Sequence, residues 1–462
     1  LKRIEVRQSA SEGEILDRVR EQGVGLNEIT EVSIGIQAYN SSKHTEEQIE
    51  NRVFHADHKK SEDYLPEISG QDVSRYHVTH DGETWVKYGD HLHDYRPMRY
   101  FSEPRILVRE ITDAGRHKIH TAYTDEVYCN YKTILNILPE SEYDPLYLLA
   151  VLNSAPMSWL FLRTSNKVVS DTFPRISVSD LEELSVPEID FDRASGAPDE
   201  ELKQLYREYL QSGDEELVLE PVRAADDGHA GHLESVHDFL AVLAENLIEW
   251  TDERKSINLD LLDYLGSYEE GAQLPDLTGY QPATGVHNSI LAETEEEKDG
   301  LRIGSLSAEE DGDKVVVAAS VRYKPEDEND VDTENWTDPD HHGFIESRNK
   351  IPVMEFYGLD KKARVLVREF IRTVDDESNG FAGFYTNATK TNSLIDRIEG
   401  ITLPDIDSVE ESVSRFIDQE QRHEKLTRKI ELTDEIIDQI VYQLYGLSDE
   451  EISTIESVLE EN

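Results

Sequence analysis

Between Leu26 and Pro187, short apolar runs alternate with Gly, Asp and Pro, a pattern typical of β-strands separated by turns. Five runs predict strands, namely Val32–Ile36, Trp85–Tyr88, Arg105–Glu110, Ile119–Tyr123 and Lys132–Ile137. A longer apolar stretch, Leu146–Leu162, follows Asp144-Pro145, a suitable N-cap and first position for a helix. Because its most apolar part is too short to cross a bilayer and Pro156 follows, the stretch predicts a buried helix.

The pattern changes after the acidic, Gly- and Ala-rich stretch 191–232. Leu233–Trp250 repeats apolar residues at helical spacing and predicts an amphipathic helix. Leu301–Tyr323 predicts a β-hairpin that turns around Glu309–Gly312. From about Leu359 a further helix is expected, with basic residues near one face and apolar residues on another.

The C-terminal region is expected to be mostly helical. Val409–Ile430 predicts one long helix, and Leu432-Thr433-Asp434 predicts a new N-terminal cap before a second helix over Glu435–Leu444. The whole pattern predicts an α+β fold: a mixed, β-rich domain with a long buried helix, a second α/β segment and a C-terminal helical region. The predicted boundaries are a helical connector over 1–25, the β-rich domain over 26–190, an acidic linker or insertion over 191–232, a second α+β segment over 233–384 and the helical region over 385–462.

Composition changes this picture in one respect, the surface. The chain has 98 acidic and 46 basic residues and a formal net charge of −52, yet its hydrophobic content of 37% argues against general disorder. Acidic residues spread along the whole chain, with Lys depleted, predict a protein that works in molar salt, and a halophilic archaeon is the expected source. The one cysteine excludes an internal disulfide and a Cys-based zinc site. No signal peptide or membrane span is recognised, so a cytoplasmic location is expected, and Leu1 in place of Met suggests a fragment.

One window is nearly free of this acidic excess. Residues 71–180 contain 12 basic and 15 acidic residues, with histidines and aromatic residues interleaved. Arginine suits guanine edges and phosphates, and aromatic rings suit base stacking, so the window predicts contact with DNA. The alternative is that this window is the best-buried part of the protein, from which acids are excluded.

The predicted helix from Leu359 has a local basic excess and is a second candidate for phosphate contact; its alternative role is to pair with surrounding acids. The DNA-binding candidates in the window and on this helix are Arg75, Lys87, Arg96, Arg99, Arg105, Arg109, Arg116, Lys118, Lys132, Arg163, Lys167, Lys361, Arg364 and Arg368. His91-x-His93 could place two imidazoles on one face of a strand, but a third ligand at suitable spacing is missing, so no metal site is predicted.

Several short motifs, in this order, carry a family resemblance: Ile34-Gly-Ile-Gln37, Tyr64-Leu-Pro66, Gly70-Gln-Asp72, Arg75-Tyr76, Pro104–Glu110, Tyr147–Ser154 and Phe173-Pro-Arg-Ile176. Together they resemble the TaqI-like C-terminal specificity domain of type IIG restriction–modification enzymes and PglX-type adenine methyltransferases. The resemblance implies that 26–190 is a target-recognition domain for double-stranded DNA and that 233–384 helps to clamp the duplex. It also implies a separate N-terminal methyltransferase domain in the same protein, in restriction–modification or phage defence, which would hold S-adenosylmethionine.

The chain itself is expected to be non-catalytic and to bind no cofactor. The string nearest to an adenine-methyltransferase motif is Asp144-Pro-Leu-Tyr147, which is better interpreted as a helix start. Two alternatives to DNA recognition remain open: a nuclease with an unrecognised metal centre in 300–372, and an acidic module that docks partner defence proteins.

Overall fold

The structure is a computed structural model of the chain. It describes residues 10–113, 115–140, 142–165, 175–189, 191, 200–226, 233–326, 332–377, 381–384 and 389–461. The chain forms two compact units, residues 1–256 with 425–462, and residues 257–424. The predicted β-rich segment 26–190 lies wholly within the first unit, whereas 233–384 and 385–462 each contribute to both units.

The first unit is built on a four-stranded antiparallel sheet. Its strand order is Thr30–Ile34, Ile134–Pro139, Arg105–Arg109 and Thr121–Thr124. Ile106 and Val108 face the main core, and Leu107 between them joins a second apolar cluster on the opposite face. A strand covered on both faces loses its polar alternation. Four of the five predicted strands are confirmed here, with their ends shifted by no more than two residues.

A second, smaller sheet of the first unit contains the fifth predicted strand. Its order is Cys129–Asn130, Tyr64–Ile68, Trp85–Lys87 and His55–Ala56, with the first pair parallel and the others antiparallel. The 3₁₀ turn Gly70–Asp72 follows Tyr64–Ile68. Two short ribbons pair Gly23–Gly25 with Ser185–Pro187, and Val73–Ser74 with His77–Val78.

The predicted buried helix Leu146–Leu162 is two helices, Pro145–Leu152 and Ala155–Thr164, bent by 67°. The break falls at Asn153, whose side chain donates to the carbonyl of Thr121 and accepts from its N–H, both at 3.0 Å. Ser154 leaves the helical conformation, at φ −76° and ψ 158°, and Pro156 has no N–H to continue the helical hydrogen bonds, so the prediction of one helix was wrong while its burial is confirmed.

Among the described residues, no single helix has the length and apolar character to cross a membrane. The bent pair passes such a test only when its two helices are joined, and its side chains lie in the core of the first unit. The other described helices of this unit are Ala10–Glu21, Leu26–Ile29, Glu46–Glu50, Arg99–Ser102, Val178–Glu182, Glu200–Ser212, Glu216–Asp226, Leu233–Ser256 and Asp449–Glu461.

A long helix runs without interruption from Ile406 to Leu444, so the predicted break at Leu432-Thr433-Asp434 was wrong. The residues expected to cap a new helix have other partners. Thr433 is buried, donates to the Lys429 carbonyl at 2.7 Å and contacts the Tyr206 hydroxyl at 2.6 Å. Asp434 binds Arg75. Because both side chains are engaged elsewhere, neither turns back to cap the backbone.

The second unit contains a sheet in the order Tyr280–Pro282, Ile351–Tyr357, Lys314–Tyr323 and Arg302–Asp311, with Ile345–Glu346 paired to Lys314–Tyr323. The predicted hairpin is confirmed, and Gly312 at φ +67° provides the positive φ of its two-residue turn. A ribbon pairs Glu270–Gln273 with Thr402–Pro404, and the helices are Leu261–Leu265, Lys361–Asp376 and Leu394–Glu399.

Helix Lys361–Asp376 begins at Asp360, whose side chain accepts from Ala363 N at 2.9 Å. Its apolar face packs with the buried residues of the sheet, for example Phe370 with Val317 in one core cluster. The described residues thus confirm an α+β fold, with mixed sheets and helices in each unit.

Candidate nucleic-acid interface

A polar cleft of about 480 Å³ opens beside the smaller sheet of the first unit. A chain of hydrogen bonds forms part of its lining. Phe54 N donates to the Tyr39 hydroxyl at 2.8 Å, and this hydroxyl lies 2.8 Å from His55 Nδ1. His55 Nε2 lies 2.8 Å from the Glu67 carboxylate, which is nearly buried. These hydrogen bonds hold Tyr39, His55 and Glu67 in place relative to one another.

The electrostatics of this hydrogen-bond chain follow from burial. Burial raises the pKa of Tyr39, so its hydroxyl remains protonated at neutral pH. Since the hydroxyl already accepts from Phe54 N, it donates its proton to His55 Nδ1. His55 then has Nε2–H available to donate to Glu67. Each group in the chain has one consistent role.

Longer polar side chains surround this lining. Arg52 lies in a left-handed turn, at φ +45°, between helix Glu46–Glu50 and strand His55–Ala56. It is exposed and forms no ion pair with any described residue. Gln71 is exposed in the turn Gly70–Asp72, which Asp72 closes by accepting from Ser69 N at 2.7 Å. Both line the cleft, and such side chains can read guanine and adenine edges.

Lys132, one of the predicted residues, lies next to this cleft. Its ammonium contacts Gln37 Oε1 at 3.4 Å and lies 5.9 Å from the ring centre of Tyr131, a cleft residue. Like Arg52, it forms no ion pair with a described residue. We define the recognition cleft by Arg52, Gln71, Tyr131 and Lys132. Of these four residues, Lys132 alone was predicted to bind DNA. Gln71 lay in a motif of the family resemblance, and Arg52 lies outside the charge-poor window 71–180. No pattern in the sequence distinguishes Gln71 or Arg52 from other surface residues.

The structure gives Arg105 a role different from the predicted one. Its side chain has no exposed surface and donates to the carbonyls of Glu103, Glu126 and Tyr128 at 3.0 to 3.1 Å. Burial lowers the pKa of Arg105 to about 10. A guanidinium enclosed by backbone cannot reach a duplex, so DNA contact by Arg105 is corrected to a structural role. Lys118 is also buried, with 4% of its surface exposed.

Other predicted cations hold parts of the first unit together. Arg75 makes a bidentate ion pair with Asp434 at 2.7 and 2.8 Å. Burial opposes the charge of Arg75, but Asp434 offsets it and the pKa is raised. Arg116 binds Asp438 at 3.0 Å. The further ion pairs are Arg96 with Asp94, Arg99 with Glu31 and Glu140, and Arg163 with Glu12. These contacts favour the alternative that the charge-poor window is largely internal.

Arg96, Arg99 and Arg116 are also 27–40% exposed, and two further predicted cations of the window, Lys87 and Arg109, have longer and weaker contacts with acids. Lys87 has a side chain 45% exposed and lies 3.4 Å from Asp63, and Arg109 lies 3.7 Å from Asp113. Both stay candidates for DNA contact. Lys167 lies outside the described residues.

The basic helix Lys361–Asp376 is mostly neutralised within the second unit. Arg364 binds Glu310 at 3.0 Å. Arg368 binds Glu310, Glu369 and Glu420. Three residues of this helix were predicted to contact DNA. Of these, Lys361 is exposed and forms no ion pair with a described residue. The alternative interpretation, that this helix pairs with surrounding acids, is therefore favoured.

The other candidate chemistry resolves into structural roles. Asp144 Oδ1 accepts from Leu146 N at 2.7 Å, which confirms the helix start, and the Tyr147 hydroxyl is buried against the Pro187 carbonyl. These residues do not fit a methyl-donor site. His91 contacts the Lys87 carbonyl through Nε2 at 2.9 Å. Within the described ranges, no group of three His, Cys, Asp or Glu residues is placed to hold a metal ion.

Part of this chain matches a known protein family. Residues 65–186 match the model of the TaqI-like C-terminal specificity domain, which confirms the predicted resemblance. A predicted type II restriction enzyme and methyltransferase of Methanocaldococcus jannaschii is 27% identical over 179 residues, 37% of this chain. The match covers 14% of that relative's length.

Three solved structures are similar at a lower level. The HsdS subunit of Thermoanaerobacter tengcongensis has 15% identity and a TM-score of 0.24, covering 51% of this chain and 50% of that one. The type IIL enzyme MmeI, in complex with DNA, has 12% identity and a TM-score of 0.27, covering 49% and 33%. The type I S subunit of M. genitalium has 12% identity and a TM-score of 0.29, covering 94% of each chain. These scores are too low to establish a shared fold.

Glu67, Gln71 and Lys132 of the cleft lie inside the matched segment. Residues 65–186 of this chain are a TaqI-like C-terminal specificity domain, the target-recognition domain of restriction–modification enzymes.

Proposed function

We propose that this chain selects the double-stranded DNA sequence at which an adenine methyltransferase acts, in restriction–modification or phage defence. One observation carries the proposal: the specificity domain borders a polar cleft at which two cations, Arg52 in the lining and Lys132 beside it, form no ion pair with a described residue. Glu67, Asp72 and Asp81 also line the cleft, but each carboxylate accepts a hydrogen bond from its own surroundings, from His55, Ser69 N and Glu83 N respectively. Arg52 and Lys132 are therefore the groups of this cleft that remain to bind a polyanion.

Within this proposal, some side chains contact base edges and others contact the phosphate backbone. Arg52 and Gln71 are the residues for base edges, where a good bidentate contact discriminates by about 1–3 kcal/mol. Lys132 contacts phosphate and fixes the register of the duplex. Tyr131 provides an aromatic surface at the same cleft. Because the ligand is DNA, we place this activity in the cytoplasm.

The proposed catalytic partner is a methyltransferase domain in the same protein, which would bind S-adenosylmethionine and receive the extruded adenine. This chain contributes position: it holds the duplex in register, which lowers the entropic cost of presenting one adenine. Calorimetry of the isolated chain with S-adenosylmethionine is expected to show no binding. Methyl transfer by the isolated chain would contradict the proposal.

The DNA-binding test begins with selection of preferred duplexes from a random library by the 462-residue chain. Arg52→Ala with Gln71→Ala is expected to weaken binding to the selected sequence by roughly 10- to 100-fold and to relax preference at one or two positions. Lys132→Ala should weaken all sequences similarly. Arg20→Ala is the matched control, because Arg20 is exposed in the same unit and has no ion pair with a described residue. Equal losses with the control would show that the cleft is not the interface.

A further inference from the structure

The hairpin of the second unit places two arginines directly opposite each other. Arg302 on strand Arg302–Asp311 pairs in register with Arg322 on strand Lys314–Tyr323. Directly opposite residues lie on the same face of a sheet, and like charges there destabilise the pairing. A repulsive pair in a chain with so few basic residues needs a compensating contact or a ligand.

Part of the compensation comes from Phe344. The guanidinium carbon of Arg302 lies 4.0 Å from the centre of this ring, and that of Arg322 lies 5.4 Å away. Lys324 places its ammonium 4.8 Å from the same centre. Three cations thus surround one aromatic ring, an arrangement that orients them without neutralising their charge.

Acidic neighbours neutralise one of the three. Arg322 binds Asp340 at 2.6 Å and Glu346 at 3.7 Å. Arg302 and Lys324 are exposed and form no ion pair with any described residue. Within the described part of the chain, the hairpin therefore presents two positive charges without an ion pair, in contrast to most of the basic helix of the same unit.

The turn that carries Phe344 is itself fixed. Asp340 Oδ1 accepts from His342 N and Phe344 N, both at 2.9 Å, and Gly343 at φ +77° completes the reversal. The rings of His341 and His342 are exposed with their centres 3.8 Å apart. The turn thus adds two imidazoles, which can donate hydrogen bonds, to the same segment as the ring.

We propose that Arg302, Lys324, His341 and His342 around Phe344, here the Phe344 cluster, bind the phosphate backbone of DNA. The proposal rests on the proposed function and adds to it a second, sequence-independent contact surface outside the specificity domain. Phosphate oxygens accept hydrogen bonds from guanidinium, ammonium and imidazole groups together, and they would neutralise Arg302 and Lys324, which Asp340 and Glu346 do not bind. Contacts of this kind position a duplex but carry no sequence information.

The test uses the full chain with Arg302→Gln and Lys324→Gln, which retain most of each side-chain stem. Fluorescence anisotropy with a random-sequence duplex, over a series of KCl concentrations, gives the slope of log K against log salt. Loss of two phosphate contacts should make this slope shallower by about 2 and weaken all sequences alike. Arg415→Gln is the control for a general effect of charge, because it removes an exposed charge of the same unit that has no ion pair with a described residue and was not a candidate for DNA contact.

Stability provides a second readout. Because Arg302→Gln removes a like-charge pair, the free energy of unfolding should stay equal or rise. A marked loss of stability would instead show a structural role for the cluster and overturn the proposal, as would an unchanged slope or an equal change in the control. If the recognition-cleft variant loses sequence preference while the Phe344 variant binds like wild type, this inference alone fails. A wild-type chain that binds no DNA would overturn the proposed function and this inference with it.

Discussion

At the residue scale, Arg105 shows how a cation that suggests DNA contact can instead hold a fold together. Its three carbonyl partners are Glu103, just before its own strand, and Glu126 and Tyr128, which follow strand Thr121–Thr124. Arg105→Ala should lower the free energy of unfolding by roughly 3 kcal/mol, because three buried carbonyls lose a charged donor. Denaturant unfolding measures this loss. Arg109→Ala on the same strand should cost less than about 1 kcal/mol, since its ion pair is partly exposed.

His120 makes a pH-dependent contribution to stability. Its Nδ1 is buried without a hydrogen-bond partner among the described residues. Burial, followed by the nearby charge of Arg75, lowers the pKa of His120 to about 4. In the unfolded chain the imidazole binds a proton near its ordinary value of about 6.5, so the unfolded state binds more protons between these two values. Its share of stability is therefore complete above about pH 6.5 and is lost as pH falls toward 4.

We expect His120→Gln to remove about 2–3 kcal/mol of the difference between unfolding free energies measured near pH 7 and near pH 4.5. Comparison with wild type isolates this share from that of the many carboxylates. An identical pH dependence in the two proteins would show that His120 is accessible to protons in the folded state.

At the scale of elements, Asp438 connects the long C-terminal helix to the bent helix pair of the first unit. Its buried carboxylate accepts from Ala155 N at 2.7 Å, at the start of helix Ala155–Thr164, and lies 3.0 Å from Arg116 and 3.2 Å from His117. One side chain thus caps a helix and holds two basic residues of the specificity domain in place.

Asp438→Ala should lower the free energy of unfolding by about 1–3 kcal/mol, because the buried Ala155 N–H loses its acceptor while Arg116 keeps its ion pair with Glu456. Glu431→Ala on an exposed position of the same helix is the control and should change stability by less than about 0.5 kcal/mol. Similar losses in both variants would show that helix propensity, and not the Asp438 contacts, decides the result.

At the scale of the whole molecule, the net charge of −52 governs behaviour in salt. In dilute buffer the acidic surface repels itself and DNA, whereas near 1 M salt the Debye length falls to about 3 Å. We propose that the chain folds fully only at high salt, and the unfolding midpoint should rise steeply with KCl. Counterion release gives little driving force under these conditions, so specific binding should rest on short-range contacts. Equal stability in dilute buffer, measured by circular dichroism, would contradict this proposal.

The sequence by itself determined the features that depend on neighbouring residues. Asp144-Pro145 starts a helix because the carboxylate caps it and proline fits its first turn. The hairpin turn and the central strands are local patterns too, and each is found within a few residues of its predicted position.

The tertiary structure decided what depends on residues far apart in the chain. Asn153 at the bend bonds Thr121 of a neighbouring strand, and Asp434 within the unbroken helix is engaged by Arg75. The candidate interface was decided in the same way. Arg52 and the buried Arg105 are the same residue type, and no local pattern tells which has an acidic or carbonyl partner. Folding decides which groups surround each arginine, and the free energy of its charge depends on those groups.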